Sequence, residues 1–173
     1  MSEQAFIATA SDFVFETSQL RCRLLSNKDQ TLYLSLYSTD EIMRFITEPL
    51  TETAAERSFQ FALRCAEQRP LRRLFLVVES KNKGVALGVV GISSLDWQQQ
   101  SVEYGLMLTK TGQGKGYAPE VTKACLAHLT QTIGMKRVWV DISEQNKAAL
   151  KVARMVGFTP SRLDKRIYEY SSI

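Results

Sequence analysis

Apolar and polar residues alternate along this chain in two periods, and the switches between them mark out most of the fold. Leu20, Cys22 and Leu24 alternate with Arg21 and Arg23, the period of a half-buried strand. Residues 28–37 then read as a short helix. Thr53-Ala-Ala-Glu56 is a capping-box pattern that opens a second helix, with Ser58, Phe61, Ala62 and Cys65 along one face and an end near Gln68, ahead of Pro70. Residues 73–80 and 85–95 are β-rich runs joined by Lys81-Asn-Lys-Gly84, a hairpin turn signal, and 101–109 is the next strand. Helical spacing returns at Val121, Ala124, Cys125, Leu129 and Ile133, which predicts a helix over 119–133 with Gly134 as its C-terminal cap. Residues 137–142 are a Val-rich buried strand, 146–156 a helix capped by Gly157, and 158–159 with 166–170 a closing hairpin. The order β-α-α-β-β-β-α-β-α-β-β predicts an α/β (mixed α+β) domain whose mixed sheet is covered by helices on both faces.

The most informative interruption of this pattern is the glycine turn between the strand at 101–109 and the helix at 119–133. Gly112, Gly114 and Gly116 carry no Cβ, so the turn can adopt positive φ and bring backbone N–H groups close to an anion. Pro119 is tolerated in a first helical turn, where its missing N–H breaks no helical bond. The unsatisfied N–H groups and the positive dipole end of that helix favour a phosphate or pyrophosphate. A Walker loop would need Ser or Thr after Gly114-Lys115, but Gly116 follows. A dinucleotide fingerprint needs Gly-x-Gly-x-x-Gly and an acid about 20 residues on, whereas these glycines alternate and Asp141 is too distant.

A third reading fits. Gln113-Gly114-Lys115-Gly116-Tyr117-Ala118 resembles the Gln/Arg-x-x-Gly-x-Gly/Ala pyrophosphate motif of the GNAT superfamily of acetyl-CoA-dependent N-acetyltransferases. Asn146 followed by Gly157-Phe158 is similar to a segment of the RimJ/RimL-like subgroup, which acetylates protein N-termini and related amines. Leu20–Leu25 looks like that family's first strand and 40–46 like its post-helix segment, so the resemblance covers about residues 18–170. It implies a central, mostly antiparallel mixed sheet flanked by helices on both faces, with acetyl-CoA as co-substrate and a primary amine as acceptor. It implies coenzyme contacts at Leu106, Met107, Leu108, Gln113, Gly114, Lys115, Gly116, Tyr117, Ala118 and Asn146, with a backbone N–H of the strand, Leu108 among them, serving the oxyanion. An acceptor wall at Met43, Arg44 and Phe45, with Ile46, follows by the same analogy.

Composition narrows the alternatives. A chain of 173 residues can bury about 70% of its unfolded surface around one core, so residues 1–173 are expected to form a single domain, with 1–17 as an N-terminal arm. Phe13-Val-Phe15 in that arm is apolar enough to pack on the body or on a second subunit, which would make a homodimer. No apolar run approaches the roughly 20 residues that span a bilayer, and the N-terminus lacks a basic region before an apolar core, so no membrane partner and a cytoplasmic location are expected. Cys22, Cys65 and Cys125 are scattered within apolar segments and read as buried free thiols. His128 is the lone imidazole, which leaves no metal-ligand set and disfavours hydrolase triads. The 22 basic residues against 18 acidic are dispersed, unlike the dense stripes of nucleic-acid binders, although Lys115, Lys147 and Lys151 suit a polyanionic coenzyme.

Transfer of acetyl from a thioester to an amine needs a neutral amine, an oxyanion donor and a proton for the thiolate. An α-amine, with its pKa near 7.7–8.0, is about 3.5 kcal/mol cheaper to deprotonate than lysine, so a weak or water-mediated base suffices for it. Glu103, a few residues ahead of the acyl position, is the candidate base, against a reading as an outward-facing strand glutamate. Asn146 can orient pantetheine or a water, or serve as a helix N-cap. Ala149 and Ala153 stand where relatives often carry Ser and Tyr, which leaves Tyr104, Ser143 and Tyr168 as open choices for the acid. Those alanines also motivate a rival reading as a silent acyl-CoA-binding module, and the basic surface motivates a ribosome- or RNA-associated one.

Overall fold

The computed structural model describes residues 8–171. An eight-stranded sheet has the order β1-β2-β3-β4-β5-β6-β8-β7, from strands β1 (Phe15–Glu16), β2 (Leu20–Leu24), β3 (Leu74–Ser80), β4 (Ala86–Asp96), β5 (Ser101–Leu108), β6 (Arg137–Asp141), β7 (Thr159–Pro160) and β8 (Ile167–Ser171). All neighbours are antiparallel except β5 and β6. Five helices accompany it: α1 (Gln30–Ser38), α2 (Asp40–Met43), α3 (Glu52–Cys65), α4 (Tyr117–Ala127) and α5 (Lys147–Val156).

Helices cover both faces because the strands bury both sets of alternating side chains. On one face Phe75 packs with Tyr33 of α1 and with Phe59 and Ala62 of α3. On the other, Val90, Ile92, Val102 and Val138 meet Val121, Cys125 and Leu126 of α4 and Leu129 just beyond it. Cys22, Cys65 and Cys125 are all free and buried.

Several boundaries differ from the sequence expectation. The second long helix starts at Glu52 and is capped by Thr51, two residues before the expected cap Thr53, the Thr51 hydroxyl accepting from Ala54 N–H. It buries Ala55, Phe59, Ala62 and Cys65, while Phe61 is exposed. The helix after the glycine turn begins at Tyr117 and passes into a π turn at His128–Thr132. The arm contributes the short strand β1, and Phe13 is 1% exposed, edge-on to Trp97 at 6.5 Å; Phe13 and Phe15 pack on the body, while Val14 is exposed. Residues 1–7 of that arm lie outside the described residues.

The arm is also tied to the helix that follows the glycine turn. Glu120, in the first turn of α4, accepts from the hydroxyls of Thr17 and Ser18 and from Gln19 N and Nε2. Burial works to raise this carboxyl, but those hydrogen bonds outweigh it and hold the group below its ordinary value.

Candidate active site

The sheet opens in its middle. The parallel β5–β6 ladder joins Ser101, Val102 and Glu103 to Arg137, Val138 and Trp139 and stops there, while β5 stays paired with β4 as far as Leu108. Thr109 N–H donates to Leu87 O at 2.8 Å. Because main-chain groups alternate along a strand, Met107 and Gly105 likewise turn theirs toward β4, whereas Leu106 and Leu108 turn theirs into the opening. Leu108 O there accepts from Gln113 Nε2 at 3.0 Å. Met107 therefore offers the opening only its side chain.

A cleft of about 580 Å³ occupies this opening, and Glu103, Leu106, Met107, Leu108, Gln113, Ala118 and Asn146 line it. At its rim the glycine turn divides its labour. Gly114 and Gly116 have φ of +71° and +77°, the left-handed region that favours glycine. Gly112 has no positive φ; it sits in a short turn, Lys110–Gly112, where an added Cβ would lie 2.8 Å from Leu87 O. Its need for glycine is close approach, contrary to the expectation. Gly114, Lys115 and Gly116 are exposed, and Tyr117 packs against the main core.

Tyr104 fixes the first turn of α4 to β5 from below. Its hydroxyl lies 2.9 Å from Thr122 Oγ1, and because Thr122 itself donates to Ala118 O, the Tyr104 proton is the one shared between them. Burial pushes this phenol well above its ordinary value. Asn146 lines the cleft and also caps α5, its Oδ1 accepting from Ala149 N–H at 3.1 Å. Of the other hydroxyls left open for the acid role, Ser143 lines the cleft and Tyr168 does not.

The Glu103 carboxylate is held by two serines. Ser93 Oγ and Ser94 Oγ donate to its Oε2 at 3.1 and 3.0 Å. Ser94 achieves this at a register shift in β4 with φ of +51°, a costly conformation for a residue with a side chain. Beside this group Gly91 and Gly105 face one another across β4 and β5 and leave a smooth floor; an added Cβ at Gly105 would meet no atom within 4 Å. Tyr37, Phe45, Ile46 and Phe75 form the apolar wall.

A second, polar cleft of about 520 Å³ adjoins the first, sharing Phe45, Ile46, Ser143 and Arg166 with it and adding Asp40, Arg44 and Glu48. Arg44 stands over the Phe45 ring at 5.2 Å. Met43, expected beside them on the acceptor wall, is 1% exposed and lines neither cleft: it is a core residue. Missing from the sequence expectation were Arg73, Ser93, Ser94 and the Gly91–Gly105 floor, because cross-strand register brings them together.

Residues 19–159 match the acetyltransferase (GNAT) domain family. The chain belongs to the GNAT acetyltransferase family. Among curated relatives of this GNAT protein, the uncharacterized protein YkkB of Bacillus subtilis (strain 168) is 26% identical over 148 residues, covering 84% of this chain and 85% of YkkB. An acetyltransferase from Agrobacterium tumefaciens str. C58 has the same GNAT fold, with a TM-score of 0.77 at 20% identity over 99% of this chain and 100% of that one. Spermidine N-acetyltransferase from Vibrio cholerae, solved with CoA and spermine, gives a TM-score of 0.75 at 18% identity over 88% and 94% of the two chains. RimJ of Mycobacterium smegmatis, solved with CoA-disulfide, gives 0.73 at 17% over 92% and 87%. No helix among the described residues is long and apolar enough to cross a membrane.

Proposed function

We propose that this protein transfers acetyl from acetyl-CoA to a primary amine by direct attack in a ternary complex, with no covalent enzyme intermediate. The observation that carries the proposal is the opening of β5 from β6, which turns the Leu106 and Leu108 N–H groups toward the cleft directly ahead of a glycine turn at a helix N-terminus. Pantetheine would pair with β5 as a further strand. The diphosphate would lie on the amides from Gln113 to Ala118, with Lys115 supplying charge. The CoA-bound relatives support coenzyme binding, and the resemblance of Asn146 and Gly157-Phe158 to the RimJ/RimL-like subgroup supports a protein N-terminus among the acceptors to test.

In the reaction, the amine lone pair attacks the thioester carbonyl carbon and forms a tetrahedral oxyanion. The Leu106 or Leu108 N–H stabilises that oxyanion; removing one such donor costs about 2.7–4 kcal/mol of barrier. Glu103 takes the amine proton directly or through one water, and collapse breaks the C–S bond. The departing thiolate takes a proton; of the open choices, Tyr104 and Ser143 both line the cleft, and Ser143, whose hydroxyl proton is not engaged as that of Tyr104 is with Thr122, is the proposed donor.

Gly116→Asp tests the coenzyme loop. In the free protein an added Cβ at Gly116 meets no atom within 4 Å, but φ of +77° strains any side chain there, so a thermal melt that shows the variant folded accompanies the test of a carboxylate in the anion's place. Calorimetry is expected to register acetyl-CoA binding to the wild type and none to the variant, alongside thiol release with peptides bearing free N-termini, polyamines, aminoglycosides or amino acids. Equal heats for the two proteins would remove the loop from the mechanism. Binding without thiol release for any acceptor would favour the silent module suggested by Ala149 and Ala153, both of which line the cleft.

A further inference from the structure

We infer that Arg73 selects acceptors that carry a carboxylate as well as the reacting amine, so that the preferred substrates are amino carboxylates. The inference deepens the acetyl-transfer reading above and rests on it. Arg73 immediately precedes β3, where Leu74 pairs with Ile92, so the register places Arg73 opposite Ser93, and Ser93 pairs with Glu103. Arg73, Ser93 and Glu103 thus form one row across three strands. They share a face with Phe75, Gly91 and Gly105, since side chains two apart on a strand point the same way. At the usual 4.7–4.9 Å between strands, the Cα atoms of Arg73 and Glu103 are about 10 Å apart, a distance that two long side chains and a small zwitterion fill.

The charges in that row are unequally satisfied. Arg21, Arg23, Arg137 and Arg166 each have a carboxylate partner. Arg73 has none among the described residues; its guanidinium lies over the Phe61 ring at 6.0 Å while the residue lines the cleft. A planar guanidinium beside an apolar wall is suited to bidentate recognition of a carboxylate. At the other end of the row, both serine hydroxyls bind Oε2 of Glu103 and leave Oε1 for an amine. Between the two ends lies the glycine floor, where the body of the acceptor can rest against Phe45 and Phe75. One end holds an amine, the other an anion, and the middle is apolar.

The shared chemistry is an amine and a carboxylate on one small molecule, supplied either by a free amino acid or by a short peptide. The test measures kcat/KM for leucine against leucinamide, and for the dipeptide Leu-Gly against its C-terminal amide, by thiol release from acetyl-CoA. The amides lose their amine proton more readily, so intrinsic reactivity favours them. Wild type is nevertheless expected to prefer at least one acid over its amide by about tenfold or more, the scale of a charge-assisted hydrogen bond. The pair that shows the preference identifies the source. Arg73→Gln should bring the ratio to one or below by lowering only the value for the acid, with unchanged melting temperature and unchanged acetyl-CoA calorimetry; Arg73→Lys should restore part of the preference. Amides used as well as acids by the wild type, or a ratio that survives in Arg73→Gln, would overturn the inference while leaving acetyl transfer intact. Turnover of no acceptor, or no heat with acetyl-CoA, would overturn the acetyl-transfer reading and this one with it.

Discussion

Replacing Gly105 by valine should stabilise the protein and silence it. Gly105 is in the middle of β5, opposite Gly91, without positive φ and with open space where a Cβ would stand. Glycine inside a strand costs about 0.5–1 kcal/mol through backbone entropy, and valine has high strand propensity, so the variant should gain about that much. For a domain of this size 1 kcal/mol is roughly 2–4 °C, which gives a melting temperature raised by about 1–4 °C. The same two methyl groups rise from the floor of the cleft between Glu103 and the apolar wall. An acceptor displaced by even about 1 Å loses roughly a hundredfold in rate. Acetyl-CoA should bind unchanged, because the main-chain groups of Gly105 face β4. Three measurements on one preparation decide the matter: a thermal melt, coenzyme calorimetry, and thiol release under saturating coenzyme. A stabilised variant with turnover within twofold of wild type would mean that the acceptor does not cross the Gly91–Gly105 floor.

Other expectations follow from the same geometry. Glu103→Gln should lower kcat by about 10²–10⁴ at pH 7 and by less as pH approaches the pKa of the amine, where a base is no longer needed; equal pH–rate profiles for the two proteins would rule out Glu103 as the base. Gly88→Ala would drive a Cβ into Met107 O and to 2.7 Å from Leu108 Cδ2, so it should cost about 1–3 kcal/mol in urea titration and weaken coenzyme binding at the adjoining edge of β5. Asp29, 4% exposed, receives Arg23 Nη2 at 2.8 Å together with Ser26 N–H and Oγ. Burial works to raise its carboxyl, but these bonds hold it below the ordinary value, so its contribution is fully present above the unfolded-chain pKa near 4 and is lost as pH falls through the folded value. Arg23 keeps Glu79 as a partner, so Asp29→Asn should cost about 1.5–3 kcal/mol at pH 7, and the gap from wild type should narrow in acid; a gap that stays constant down to pH 2 would contradict the sign of the shift.

The sheet, its helices and the glycine turn were legible because each depends on local chemistry: alternation in β2 to β5, glycines ahead of an apolar-periodic helix, and Gly157 ending α5 with φ of +102°. The acceptor half was less legible. Met43 and Phe45 carry the same apolar signal, yet one is in the core and the other on the wall, a difference decided by the turn of a four-residue helix. Ser94 reaches Glu103 through a shift in strand register that neither Gly nor Pro announces. The capping-box pattern at Thr53 points to that residue as the start of α3, but Thr51 is the cap, and Ala55 N–H bonds to Thr51 O at 2.8 Å while Ala55 is buried. Strand β1, with two residues, is too short for any period to register.

The sequestered sulfurs have a practical corollary. Burial pushes the Cys22 thiol up to about 12, Cys125 well above its ordinary value and Cys65 in the same direction, so none presents a nucleophilic thiolate near neutrality. A chromogenic disulfide reagent added to the native protein should therefore stay colourless until coenzyme A is freed. Heating past the melting point should then expose three further sulfhydryls per chain, which lets one dye report both catalysis and collapse of the fold.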